Sequence, residues 1–289
     1  MRIAYLASSV TLPSSPDRRS DAFEHDWMME ALRPAFAAQG MTLEDITWDD
    51  PGADWSRYAG VMIGSTWDYW DRAREFLATL DAIEAQTPLF NPAALVRWNS
   101  RKTYLRDLEA GGARLIPTLW IDEMTAGAAA RAFDSLDSDD LVFKRQVGAG
   151  ADGQHRLRRG DSIPAMPHPM MVQPFMSSIV DEGEISFVMI DGALSHALVK
   201  TAKPGDYRIQ SLYGGTETPI TPSAADLKVA HHVLSALDTP ALYARVDMLR
   251  AEDGGLLLME LELIEPYLYP KQGPDLGERL ATALLQRLS

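Results

Sequence analysis

Leu242-Tyr243-Ala244-Arg245-Val246-Asp247-Met248-Leu249-Arg250 and Leu256-Leu257-Leu258-Met259-Glu260-Leu261-Glu262-Leu263-Ile264 decide the fold. Both runs read as strands, and Asp253-Gly254 between them is a favoured two-residue hairpin turn. Pairing outward from that turn sets Asp247 directly opposite Glu260, and the period-2 alternation of a strand puts Glu262 on the same face. Facing like charges repel, by roughly 0.2–1 kcal/mol in a solvated sheet and by more where water is excluded. A divalent cation would answer that repulsion, since hard carboxylate oxygens are how Mg²⁺ is held beside a nucleotide. A solvated acidic face is the plainer alternative. Against it, Leu256 and Leu258 share the expected carboxylate face, while Leu257, Met259, Leu261 and Leu263 fill the other. The carboxylates therefore read as the polar end of a buried cleft.

The whole chain narrows the choice of partner. Its 289 residues, 46% of them hydrophobic, suffice for about two ordinary domains. A net charge of −14 argues against nucleic-acid or anionic-membrane surfaces, which need a positive field, so any phosphate must be met by local cations. The absence of cysteine excludes disulfides, zinc-thiolate sites and a cysteine nucleophile. Met1 to Val10 turns polar too quickly for a signal peptide, and no apolar run approaches a membrane span. A soluble cytoplasmic protein is the expectation.

Upstream, Arg2 to Ser8, Met41 to Trp48 and Tyr58 to Gly64 read as strands, with a helix from Asp21 to Gln39 between the first two. This β-α-β alternation predicts a small parallel sheet. Trp67, Asp68, Tyr69 and Trp70 follow its third strand, where open α/β sheets bind ligands, although a helix cap with aromatic packing accounts for them equally well. A helix spans Ser100 to Ala110. From Leu141 the pattern turns to short strands, glycines and prolines. A strand pair follows between Met171 and Lys200, then helices over Ser223–Leu237 and Leu276–Leu288. His25, His231 and His232 read as helix-surface residues.

Lys144 lies in the strand Leu141-Val142-Phe143-Lys144-Arg145, and Gly148-Ala149-Gly150-Ala151-Asp152-Gly153 follows. The glycine spacing matches a dinucleotide fingerprint, but that motif must open a helix. Gln154 to Arg159 is strand-like and prolines follow, which leaves a glycine-rich tip between antiparallel strands. Such a tip can offer backbone N–H groups to phosphate, and an ordinary hairpin with a surface lysine remains open. Lys102, Lys200 and Arg208, each taken alone, read as solvated charges.

In order, these pieces resemble the ATP-grasp superfamily, especially prokaryotic glutathione synthetase and D-alanine–D-alanine ligase. The resemblance rests on Trp98 to Lys102, Leu141 to Gly153, Val172-Gln173-Pro174-Phe175-Met176, Gly183-Glu184-Ile185-Ser186, Tyr243 to Met248 and Met259 to Pro266. It implies an α/β fold, α+β in its C-terminal part. The expected parts are an N-terminal parallel-sheet domain (1–95), a central lid subdomain (96–172) and a C-terminal antiparallel-sheet subdomain (173–289). Trp67-Asp68-Tyr69, Gly205-Asp206-Tyr207-Arg208 and Met259 to Pro266 are also similar to a smaller ATP-grasp group that includes the D-cycloserine synthetases, which close an O-ureidoserine substrate into a ring.

The resemblance implies Mg²⁺ on Asp247, Glu260 and Glu262, with Glu262 standing where many relatives carry Asn. ATP would be held by Lys102, Lys144 and Lys200, by Gly148, Gly150 and Gly153 of the phosphate loop, by the adenine hinge at Gln173 and Phe175, by Glu184 at the ribose and by Leu258 under the base. Arg208 would meet the transferring phosphate and Arg245 the reacting carboxyl. The implied activity is amide formation through an acyl phosphate, with small carboxylate and amine substrates. A regulatory ATP-binding module and a kinase that stops at phosphorylation are the alternatives. The sequence leaves oligomeric state open, a homodimer included.

Overall fold

Strands with apolar residues on both faces need cover on both, and the first sheet has it. In a computed structural model that describes residues 1–148, 153–203, 205, 209 and 214–289, β1 (Arg2–Ala7), β2 (Thr42–Thr47), β3 (Gly60–Ile63) and β4 (Leu89–Phe90) pair in parallel in the order β2-β1-β3-β4. Helix α1 (Phe23–Ala38) lays Met28, Met29, Leu32 and Phe36 on Ile3, Tyr5 and Met62. Helix α2 (Ala73–Glu84) packs Phe76, Leu80 and Ile83 against Ala4, Leu6, Val61 and Ile63 on the other side.

Short helices α3 (Ala93–Asn99) and α4 (Tyr104–Ala110) lead into a second, antiparallel sheet of β5 (Leu119–Ile121), β6 (Asp140–Arg145), β7 (His155–Arg158) and β8 (Met170–Pro174), in the order β5-β8-β6-β7. Helix α5 (Ala126–Ser135) covers it with Ala129, Ala132 and Phe133. This helix carries little sequence signal, because its buried face is mostly alanine and gives little periodic contrast. Strand β7 follows the glycine run as expected, which removes the dinucleotide reading of that run.

The third sheet has the order β11-β10-β9-β12-β13. It comprises β9 (Glu184–Ile190), β10 (Ala193–Thr201), β11 (Thr216–Ile220), β12 (Tyr243–Arg250) and β13 (Leu256–Glu262), with α6 (Ser178–Asp181), α7 (Ala224–Ser235) and α8 (Leu276–Leu288) around it. Among the described residues no helix is long and apolar enough to cross a membrane.

Asp247 faces Glu260, as the sequence predicts, and Arg245 faces Glu262. The route to that pairing differs from expectation. Ala251 N–H bonds Gly255 O at 2.8 Å and Gly254 N–H bonds Ala251 O at 2.9 Å, so the loop is residues 252–254 with Gly254 in the left-handed region at φ 80°. Met248 consequently pairs with Leu258, and a bulge at Met259 restores the Asp247–Glu260 register. The extra residue reverses the alternation. Leu256 and Leu258 fall into the core under α4 and α7, away from the carboxylates, while Leu257 and Met259 join the cluster of Leu249 and Ile116.

Buried amides tie this hairpin to the first sheet. Asn91 donates to Tyr243 O at 3.0 Å and Leu263 O at 2.7 Å and accepts from Leu242 N–H at 2.7 Å. Asn99 bridges Leu261 O and Leu263 N–H in the same manner. The Tyr243 hydroxyl donates toward Ile63 O at 2.8 Å. Asn91→Ala strips a buried N–H and two carbonyls of their partner and is expected to lower folding stability by about 1–3 kcal/mol in urea unfolding.

Candidate active site

The polar level of the third sheet is built by cross-strand register. Lys200 of β10 lies opposite Glu184 of β9, Asp247 of β12 opposite Ser186 of β9, and Glu260 of β13 opposite Asp247. Lys200, 4% exposed, pairs with Glu184 and reaches Asp247 at 3.4 Å. Ser186 donates to Asp247 at 2.5 Å, and the Arg245 guanidinium grips both Asp247 oxygens at 2.8–3.0 Å while also pairing with Glu262. Lys102 pairs with Glu260.

These contacts set the charge states. Burial opposes ionisation of Asp247, yet Arg245 and Lys200 hold its carboxyl well below the usual range. Burial pushes Glu184 up to about 7 against the pull of Lys200. Burial, with Asp247 and Glu260 beside it, likewise pushes Glu262 up to about 7 despite Arg245. Lys200 is buried but held above the ordinary lysine range by Asp247 and Glu184, and Lys102 is raised in spite of burial by Glu260. Burial lowers Lys144.

All of this faces one cavity of about 490 Å³. Lys102, Lys144, Gly148, Gln173, Phe175, Glu184, Lys200, Arg245, Asp247, Glu260 and Glu262 all line it. Ile116, Met176, Ile179, Leu249 and Met259 give it one apolar cluster, and the Arg156 guanidinium stacks 3.3 Å from the ring centre of Phe175, which also lines it. Aromatic lining comes from Trp67, Tyr69 and Trp70 in the loop after β3 and from Tyr267 and Tyr269 in the segment after β13. Trp67 Nε1 donates to Glu265 O at 3.1 Å, and Arg145 stacks over Trp70 at 5.6 Å.

Three expectations need restating. Leu258 does not line the cavity, because the bulge turns it into the core, and Met259 and Leu249 supply apolar surface there. Gly153 does not line it either; it sits at φ 64° beside Arg145, where a Cβ would lie 2.5 Å from Nε. Asp68 turns from its aromatic neighbours to Trp48 Nε1 and Arg72, each at 2.8 Å. Gly150 and Arg208 lie outside the described residues. Sequence reasoning passed over Arg19, Arg145, Glu265, Tyr267 and Tyr269, all of which line the cavity. Arg145 and Glu265 lie inside motifs already quoted but were assigned no role, whereas Arg19 carries no sequence signal.

Among the described residues no three ligand-type side chains converge as a metal cage. Each of the three carboxylates holds a basic partner instead. The donor chemistry nevertheless suits Mg²⁺. Glu260 and Glu262, 28% and 27% exposed, open onto the cavity, whereas Asp247, at 2%, is enclosed by Arg245 and Ser186.

A parallel sheet and two antiparallel sheets meeting at one cation-lined cavity define an ATP-grasp ligase. D-alanine–D-alanine ligase from Bacillus anthracis shares that fold, with a TM-score of 0.70 at 16% identity over 100% of this chain and 97% of its own. Residues 3–91 match the family model "D-cycloserine synthetase DcsG, N-terminal domain". The cycloserine biosynthesis protein DcsG of Streptomyces lavendulae is 32% identical over 91% of this chain and 94% of its own length. The crystal structure of D-cycloserine synthetase DcsG superposes with a TM-score of 0.87 at 30% identity over the whole of both chains. The chain belongs to the DcsG family of ATP-dependent carboxylate–amine ligases.

Lys200→Met would leave Glu184 and Asp247 buried without that ammonium, and is expected to cost about 3–5 kcal/mol in chemical denaturation. The folded-state pKa of Lys200 is raised, so its contribution is complete below the ordinary value of 10.5 and is lost as pH rises through the higher folded value. The gap between wild type and variant should therefore narrow only in strongly alkaline solution.

Proposed function

We propose that this ligase joins a carboxylate and a nitrogen carried by one small amino-acid molecule, closing a ring in the manner of a D-cycloserine synthetase acting on O-ureidoserine. The position of Arg245 carries the reading. Its guanidinium bonds Asp247 and Glu262 on the phosphate side, donates to Tyr267 O at 3.1 Å and stacks on Tyr269 at 5.5 Å on the aromatic side. A group so placed meets a substrate carboxyl at the boundary between nucleotide and substrate.

Bound Mg·ATP supplies the γ-phosphoryl group that converts the carboxylate into an acyl phosphate. The chain's own task is then positioning and charge neutralisation, which is why cations and carboxylates make up the site and no nucleophile does. Lys102, Lys144 and Lys200 neutralise phosphate oxygens, with Arg208 assigned to the transferring group. Gln173 and Phe175 flank the adenine, and Glu184 answers the ribose. Glu260 and Glu262 would hold Mg²⁺ with Asp247 behind them, and its charge would offset the burial and the neighbouring carboxylates that raise Glu262. Arg245 stabilises the oxyanion as the nitrogen adds to the acyl carbon, loses its proton and expels phosphate.

Coupled ADP release with O-ureidoserine as the sole substrate, followed by mass spectrometry, tests the reading. ADP, phosphate and a cyclic product without added amine are expected; an absolute need for a second molecule as amine donor would overturn ring closure. Glu260→Gln is expected to abolish ATP turnover at matched Mg²⁺, and undiminished turnover would remove the metal role of Glu260.

A further inference from the structure

Asp21, Glu184, Asp247, Glu260 and Glu262 line the cavity together with Glu24, and each of those five carries a basic partner. Glu265 lines it as well, yet among the described residues no basic group lies within 4.0 Å of its carboxylate, and Lys102, already paired with Glu260, acts on it only from beyond that distance. Its hydrogen bond is to its own backbone amide. A carboxylate drawn from water beside Glu262 and Glu260 is costly unless a cation answers it. Two residues on, Tyr267 is 6% exposed and lines the same cavity, and its hydroxyl has no hydrogen-bond partner among the described residues. Buried polar groups are normally satisfied. A ligand that brings one cation and one further polar group would satisfy both.

The surroundings favour an ammonium. Trp67 is tied to Glu265 O by its indole N–H, so the aromatic loop and this carboxylate form one unit, and Tyr69 lines the cavity beside them. Aromatic faces attract cations. We propose that Glu265 receives the α-ammonium of the amino-acid substrate while the Tyr267 hydroxyl bonds its polar side chain. Glu265 and Arg245 then read the two charges of the amino acid. The assignment rests on the amino-acid substrate proposed above and names the residue that selects it.

The test compares ligand pairs that differ only in the α-ammonium: O-ureidoserine against its des-amino analogue, and alanine against propionate. Each is titrated into the full chain with Mg·ADP present and followed by thermal shift. Wild type is expected to bind the ammonium-bearing member about 10- to 100-fold more tightly. Glu265→Gln should erase that preference while stabilisation by Mg·ADP alone persists, and Glu265→Asp should retain part of it. Equal affinity within the pairs in wild type, or a preference that survives in Glu265→Gln, overturns the proposal. So does a shifted Mg²⁺ requirement in that variant, which would make Glu265 a metal ligand. If O-ureidoserine gives no cyclic product but the ammonium preference holds, ring closure falls and the role of Glu265 stands.

Discussion

Asp247 and Glu260 face each other across β12 and β13, and two carboxylates at that spacing repel more strongly as water is withdrawn. The protein surrounds them with cations drawn from different parts of the chain. Lys200 comes from β10, on the far side of β9, Arg245 from two residues along the same strand as Asp247, and Lys102 from the segment between α3 and α4. The segments that deliver those charges must be held in place, and the buried amides of Asn91 and Asn99 do so by bonding the backbone of the same hairpin. The electrostatics of one strand pair thus dictate how the first and third sheets are joined.

The cavity has a polarity that follows from the same arrangement. Its apolar lining comes from segments beside β5 and β8 and from β12 and β13, and its aromatic lining from the loop after β3 and the segment after β13. Cations and carboxylates alternate in the middle. Such alternation keeps most of the charge internally compensated while leaving groups that can exchange partners when phosphate or metal enters.

Much of this was legible in the sequence because it depends on local periodicity. The carboxylate strands, the rejection of a dinucleotide loop before β7 and the closing helix α8 all followed from the spacing of apolar residues and glycines. What escaped was structure set by single backbone details or by distant partners. Asp253-Gly254 looked like a two-residue turn, yet the two-residue left-handed turn belongs to Asp191-Gly192, with φ of 49° and 77°; at the other site Gly254 alone is left-handed. That difference placed Leu258 on the wrong face. His25, expected at a helix surface, is fully buried because Ser65 and Asp45 bond its two ring nitrogens, and neither is near it in sequence. Arg19 reaches the cavity from a polar loop whose composition resembles any other.

The bulge at Met259 has a consequence for how the protein can vary. Between the 252–254 loop and the carboxylates lies a one-residue offset that the strand pair absorbs before it reaches Asp247 and Glu260. The tip of the hairpin is therefore mechanically decoupled from the site, much as a slack link isolates a load from its anchor. Chain length at this exposed end can drift between relatives, or be altered to attach a probe, while the spacing of the charged side chains stays fixed.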